Sequence, residues 1–237
     1  MKCKNVWMSR HGIRGWQLRA LDSSERPLDA PMGGDDPLDP MGERQAEALA
    51  RRLADVPIKF IFSSPFRRTI QTTLPLARRL KLSIKLEWGL CEFLQEKWFE
   101  SFPQLPSLAQ RHDEFPEVDL TYQSVVTPIF PESQELMLQR TSKAMEHLTR
   151  NYGPDIFVMG HSPSTKGMRR ALLPDVADFN IDFCGVSHLQ REGDSWRYIL
   201  DGDAEHLKAS GLHVSWPPKS WNKPSSAKSA RQLTESR

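Results

Sequence analysis

The chain has 237 residues, a formal net charge of +2, 38% hydrophobic and 26% charged residues. That balance describes a globular chain able to bury a substantial core, as one large domain or two small ones, and makes no electrostatic case for nucleic acid or a membrane as partner. No apolar run approaches membrane-spanning length, the start MKCKNVWMSRHG lacks the apolar stretch of a secretory signal, and three scattered cysteines point to reduced thiols in a cytoplasmic chain rather than a disulfide or zinc framework.

In chain order, KNVWMS predicts a short strand that runs into Arg10-His11-Gly12. Residues 15–40, with RPLDAPMGGDDPLDP, show no period and are expected to form a long loop. DPMGERQAEALARRLADV predicts a helix capped by Asp39, with Pro40 in its first turn. Ala46, Leu49, Ala50 and Leu53 share one face of it. IKFIFSS reads as a buried strand, and Ser63-Ser64-Pro65 as the start of a helix through FRRTIQTTLPLARRL, with Pro75 expected to kink or break it. SIKLEWGLCE contains a third strand.

Residues 95–131 are irregular, aromatic and proline-rich, with one short helix expected near LPSLAQRHDEF. PESQELMLQRTSKAMEHLTRNYG predicts a long helix with Met137, Thr141, Ala144 and Leu148 on one face and Gly153 placed to end it. DIFVMGHSP is a fourth strand ending at His161, and STKGMRRALLP the helix after it. GVSHLQREGDSWRYIL predicts a hairpin turning at EGD. Alternating strands and helices imply an α/β fold with a layered, mostly parallel sheet and helices on both faces. One domain is expected over residues 1–214, with an insertion at 93–131 over the site. Residues 215–237, rich in Ser, Pro and Lys, are expected to be a disordered tail.

Ligands of open α/β sheets bind at the carboxyl ends of the strands. This chain places Arg10-His11-Gly12 and Arg14 after the first strand, Ser64 to Arg68 after the second, Glu92 after the third and Gly160-His161-Ser162 after the fourth. Guanidinium forks match the oxygens of a phosphate monoester. A neutral imidazole can attack phosphorus, and neighbouring arginines favour the neutral form. A carboxyl group can protonate the leaving oxygen. The arginines neutralise charge as a metal ion would, so no metal or other cofactor is expected. Gly12 is expected to let the backbone approach the phosphate.

The ordered set RHG, SSPFRRTIQT and GHSP resembles the motifs of the histidine phosphatase superfamily, whose fold is phosphoglycerate-mutase-like. The resemblance covers roughly residues 4–200 and implies a three-layer α/β/α architecture. It implies His11 as the nucleophile, Arg10, Arg14, Arg68 and His161 as the phosphate pocket, and Glu92 as the proton donor. Arg67 competes with Arg68 for the inward position, and Glu96 with Glu92. The Arg14 spacing, with DDPLDPMG, GLCEFLQEKW and FPESQELMLQRTSKAM, is similar to the phosphatase domains of the suppressor of T-cell receptor signalling proteins and to ecdysteroid-phosphate phosphatases. Those signalling proteins also carry ubiquitin-associated and SH3 domains, for which this chain is too short; a stand-alone catalytic domain is expected.

The reading is a metal-independent phosphatase acting on a small-molecule or protein phosphate monoester. ARRLKLSIK and KGMRRALL look like helix ends without the aromatic interleaving of single-strand binders, so nucleic acid is not expected as a partner, nor is a membrane. A homodimer is compatible with the sequence. Two rivals stand beside this reading. One is a phosphoglycerate-mutase-type phosphotransferase, disfavoured because GLCEFLQEKWFESFP lacks the arginine and tyrosine of the mutase stretch. The other is a phospho-ligand-binding regulator with little turnover. Trp98, Phe99 and Phe102 either line the substrate pocket or pack the insertion onto the domain.

Overall fold

Residues 2–21, 34–175 and 181–216 are described by a computed structural model. Its strands are β1 (Asn5–Arg10), β2 (Phe60–Ser63), β3 (Ile84–Leu86), β4 (Asp155–Gly160), β5 (Val186–Glu192) and β6 (Ser195–Asp203). They form one sheet in the order β3-β2-β4-β1-β5-β6. β1, β4, β2 and β3 run parallel; β5 is antiparallel to β1, and β6, antiparallel to β5, runs in the direction of β1 again. The first four strands thus deliver their carboxyl ends to one edge, with Arg10 level with Gly160 and Ser63 with Met159.

Alternation along β4 sets the layers. Phe157 and Met159 pack with Ile61 against α2 (Pro40–Arg52), α3 (Arg67–Leu80) and α7 (Glu205–Lys208). Ile156 and Val158 pack with Val6, Met8 and Phe62 against α5 (Gln134–Asn151) and α6 (Ser162–Leu172). Both apolar stripes behave as their spacing predicts: Ala46, Leu49, Ala50 and Leu53 of the first are buried, as are Met137, Thr141, Ala144 and Leu148 of the second. Asp39 caps α2 by accepting from the Met41 amide. The architecture is the expected three-layer α/β/α.

Several local expectations need correction. Gly15–Ala20 is a helix, α1, where a loop was expected; Gln17 Oε1 accepts from the Arg14 amide and so closes its first turn. Residues 22–33 of that loop, and residues 217–237 of the tail expected at 215–237, lie outside the described residues; Trp216, expected in that tail, instead packs against Trp16 and Phe183. α3 continues through Pro75 as one helix. Its N-cap is Phe66 rather than a serine, because the Ser64 hydroxyl is engaged elsewhere. Gly153 is not a left-handed helix stop: Tyr152 ends α5 in extended conformation. A Cβ on Gly153 would lie 2.9 Å from the Cys3 backbone, so close approach explains this glycine. The 93–131 insertion holds the expected short helix, α4 (Leu108–Glu114). Its segment 117–119 bonds to both backbone groups of Ile84 and so covers the edge of β3. Cys3, Cys91 and Cys184 are buried free thiols.

Candidate active site

The residues predicted from four separate segments meet at the carboxyl edge of the parallel strands. The His11 amide donates to the Gly160 carbonyl (3.1 Å), joining the ends of β1 and β4. His11 Nδ1 lies 2.7 Å from the Gly12 carbonyl. A carbonyl only accepts, so Nδ1 carries the proton and Nε2 keeps its lone pair. Burial, then the charges of Arg68, His161, Arg10 and Arg14, push the His11 pKa well below 6.5. The imidazole is therefore neutral at pH 7.

Packing demands a glycine at position 12. A Cβ there would sit 2.7 Å from the Gly42 carbonyl oxygen, and one on Gly42 would sit 2.3 Å from the Ile13 oxygen. This glycine pair lets α2 press against the loop carrying His11. The Gly12 amide donates to Thr72 Oγ1 (3.0 Å) and the Ile13 amide to Gln45 Oε1 (2.9 Å), fixing the loop to α3 and α2.

Arg10 lies over the Phe183 ring, 4.0 Å from its centroid, and donates to the Ile181 carbonyl (3.3 Å). Burial lowers its pKa to about 10, which leaves it charged at neutral pH. Arg14 pairs with Asp36 (3.3 Å) and sits over Trp16. Arg68, fully buried, donates to the Gly34 carbonyl (2.7 Å) and reaches both Glu92 Oε2 (3.4 Å) and His161 Nδ1 (3.2 Å). Arg67 points away and pairs with Glu114 (2.5 Å), so Arg68 is the inward member of the pair. No acceptor meets Nε of Arg10 or of Arg68 among the described residues.

His161 is the N-cap of α6, which starts at Ser162, two residues before the expected start. Its position sets the positive end of the helix dipole beside the arginines. Ser64 Oγ lies 2.8 Å from its Nε2. Burial pushes the His161 pKa down to about 4, against the pull of Glu92. Glu92 is buried, whereas Glu96 is exposed. Burial pushes the Glu92 carboxyl up, but His161, Arg68 and the Phe93 amide outweigh it and hold it down at about 2. His11, Glu92 and His161 place ligand-type atoms within 4.8 Å of one another. The three arginine charges around them favour an anion over a metal ion.

The aromatic question resolves toward packing. Phe99 is buried in a cluster with Phe66, Cys91 and Leu94, flanked by Trp98 and Phe102. Phe66 stands edge-on to His161 at 5.2 Å and so joins this cluster to the site.

Other residues at the site were not predicted. Gly34, Asp35 and Asp36 hold Arg68, Arg111 and Arg14. Arg140, on α5, pairs with Glu132 (2.6 Å). The visible signal was position: Arg140 falls three residues after Met137 and four before Ala144, on the apolar face of α5.

A neutral histidine ringed by buried arginines at the carboxyl edge of the parallel strands is an arrangement suited to an anion. The profile of the histidine phosphatase superfamily (branch 1) matches residues 6–203, and the chain belongs to that superfamily. Its fold is similar to ecdysone phosphate phosphatase from Bombix mori, with TM-score 0.66, 20% identity, and 85% of this chain and 93% of that chain covered. It is also similar to mycobacterial glucosyl-3-phosphoglycerate phosphatase, with TM-score 0.62, 20% identity, and 85% and 100% covered. Family and fold together support phosphatase or phosphotransferase chemistry. A curated relative, the transcription factor tau 55 kDa subunit of Saccharomyces cerevisiae, is 34% identical over 98 residues, 39% of this chain. The match spans only 21% of that protein's length. Among the described residues no helix is long and apolar enough to cross a membrane.

Proposed function

We propose that the protein is a metal-independent phosphatase that hydrolyses phosphate monoesters, of a small molecule or a protein, through a covalent phosphohistidine on His11. The observation that carries this reading is the neutral His11 with Nε2 unprotonated, under the charges of Arg10, Arg14 and Arg68. The ester phosphate binds those arginines and His161. His11 Nε2 forms a bond to phosphorus as the ester P–O bond breaks, and Glu92 gives its proton to the leaving oxygen. Water then attacks phosphorus, Glu92 takes a proton back, and the P–N bond breaks to release inorganic phosphate.

Glu92 is ionised at pH 7 when held at about 2, so it must gain a proton before donating one. A phosphate dianion among the arginines offsets the hold of Arg68 on Glu92 and repels the carboxylate. Both effects raise the Glu92 pKa, so proton uptake accompanies substrate binding. Rapid acid or alkali quench with a labelled monoester tests the mechanism. The expected intermediate is acid-labile and alkali-stable, and absent in His11→Ala. Full activity in that variant overturns the reading.

A second reading, a phosphate-recognising subunit with little turnover, is favoured by the identity to a transcription factor subunit. Phosphopeptide binding without hydrolysis by the unaltered chain would select it.

A further inference from the structure

We propose that Arg140, backed by Glu132, is the positioning residue that sets the Glu92 carboxyl against the leaving group. This rests on the reading of Glu92 as the acid. Glu92 leaves the sheet on a backbone with little regular structure: after β3 comes a 3-10 turn over Trp88–Leu90, and Cys91 is extended. Such a segment does not hold a carboxyl in place by itself. Arg140 does so from behind. Its Nη1 donates to the carbonyls of Trp88 (3.3 Å), Gly89 (2.9 Å) and Cys91 (3.3 Å). Its Nη2 donates to the carbonyl of Glu92 itself (3.2 Å).

Glu132 fixes the guanidinium in turn. Its two oxygens accept from Nε (2.6 Å) and Nη2 (2.8 Å) of Arg140. It also ties the other side of the segment, accepting from the Leu94 amide (3.3 Å) while its own amide donates to the Leu94 carbonyl (2.8 Å). The turn around Glu92 is thus gripped on both sides by one buried ion pair. A planar fork with five donors can hold four carbonyls and a carboxylate at once; a lysine ammonium cannot. No phosphate-binding arginine belongs to this grip. Its loss should therefore affect proton delivery and leave phosphate binding in place.

The test compares leaving groups. p-Nitrophenolate departs without a proton, whereas an alkoxide from glycerol 2-phosphate needs one. Because Glu92 also serves in hydrolysis of the phosphoenzyme, a step both substrates share, the rate of phosphoenzyme formation is read by rapid quench. Glu92→Gln serves as the reference, with an expected fall in that rate of about 100-fold on glycerol 2-phosphate and little on p-nitrophenyl phosphate. Arg140→Lys is expected to repeat that selectivity with a fall of about 10-fold, while KM and inhibition by inorganic phosphate stay as in the unaltered chain. Glu132→Gln should show the same selectivity to a smaller degree. An equal fall on both substrates in Arg140→Lys and Glu132→Gln, or a changed KM alone, overturns the proposal. Loss of the fold in both variants, read by thermal melting, also overturns it, since Arg140 is then structural. If Glu92→Gln is itself unselective, the assignment of Glu92 as acid fails first and the Arg140 proposal falls with it. A selective Glu92→Gln with an unselective Arg140→Lys refutes Arg140 alone.

Discussion

The phosphate edge and the rear support of the 88–94 segment both bury charge, in opposite ways. At the edge, Arg10, Arg14 and Arg68 crowd one imidazole, and Nε of Arg10 and of Arg68 meets no acceptor in the described residues. Behind it, Arg140 uses its fork on four carbonyls and Glu132. Glu87 likewise accepts from the Gly89 amide, the Tyr122 and Ser124 hydroxyls and the Val125 amide. The first set of charges is arranged for an incoming anion; the second is saturated by the chain itself. An open Nε alone does not separate them, since Arg111, paired with Asp35, has one too; what differs is that the edge arginines crowd together with few counter-charges, whereas Arg140 is matched by a carboxylate and four carbonyls.

Breaking the first set should affect chemistry most. His11→Ala is expected to lower kcat by about 10⁴-fold or more, as loss of a nucleophile does in other covalent hydrolases. Next comes Arg68→Ala, with kcat/KM down about 10²- to 10³-fold, the size of effect seen when one donor to a developing charge is removed. Arg67→Ala, which breaks a pair whose arginine side chain is 43% exposed, should stay within about 2-fold. Steady-state kinetics on p-nitrophenyl phosphate read all three, and a larger effect at Arg67 than at Arg68 reverses the orientation derived above.

The two sets should part again in stability. Arg140→Met strands the buried Glu132 carboxylate and is expected to cost about 3–5 kcal/mol in urea unfolding. Arg10→Met removes a buried charge that repels Arg68 and, among the described residues, leaves no carboxylate stranded within ion-pair distance. It should cost under about 1 kcal/mol while abolishing turnover. Equal losses of stability would erase the distinction between binding site and scaffold.

This distinction also marks how far the sequence could be read. The phosphate edge was legible because each piece is local: a strand, then a turn with charge at its end. That the segments carrying His11, Arg68, Glu92 and His161 meet needed only the rule that parallel strands share a carboxyl edge; the choice of Arg68 over Arg67 rested on the family resemblance. The supporting pairs join distant segments, such as Arg111 with Asp35 and Arg140 with Glu132. In sequence Arg111, Asp35 and Glu132 read as ordinary solvated charges, and only the tertiary fold shows their pairing; Arg140 alone carries a signal, its place on the apolar face of α5. Ser64 misled for a related reason: its hydroxyl suits a helix cap, and its contact with His161 lies 97 residues away. α1 was missed because a six-residue helix offers too short a window for a period to register.

The smallest expected effect is a slope in pH, and it again sets site against scaffold. The His161 pKa in the fold, about 4, lies below its ordinary 6.5. The unfolded chain therefore takes up that proton first, and stability falls as pH drops from 6.5 toward 4. Glu92 titrates lower: its stabilisation is full above 4.5 and is lost as pH falls through about 2. The interval from pH 4.5 to 6.5 thus lies above Glu92 and belongs mainly to the histidines, with Asp201, raised by burial, adding a slope of opposite sign. His11 contributes there, because burial and the arginines lower it too, and so do His188, lowered by burial to about 4, and His206, also lowered by burial. Each histidine that stays neutral in the fold adds a slope of up to about 1.4 kcal/mol per pH unit. His161→Asn should remove one such increment from urea unfolding measured across this interval. An unaltered slope in His161→Asn would mean that His161 is charged in the folded protein, paired with Glu92, and would move the proton at the site from the carboxyl to the imidazole.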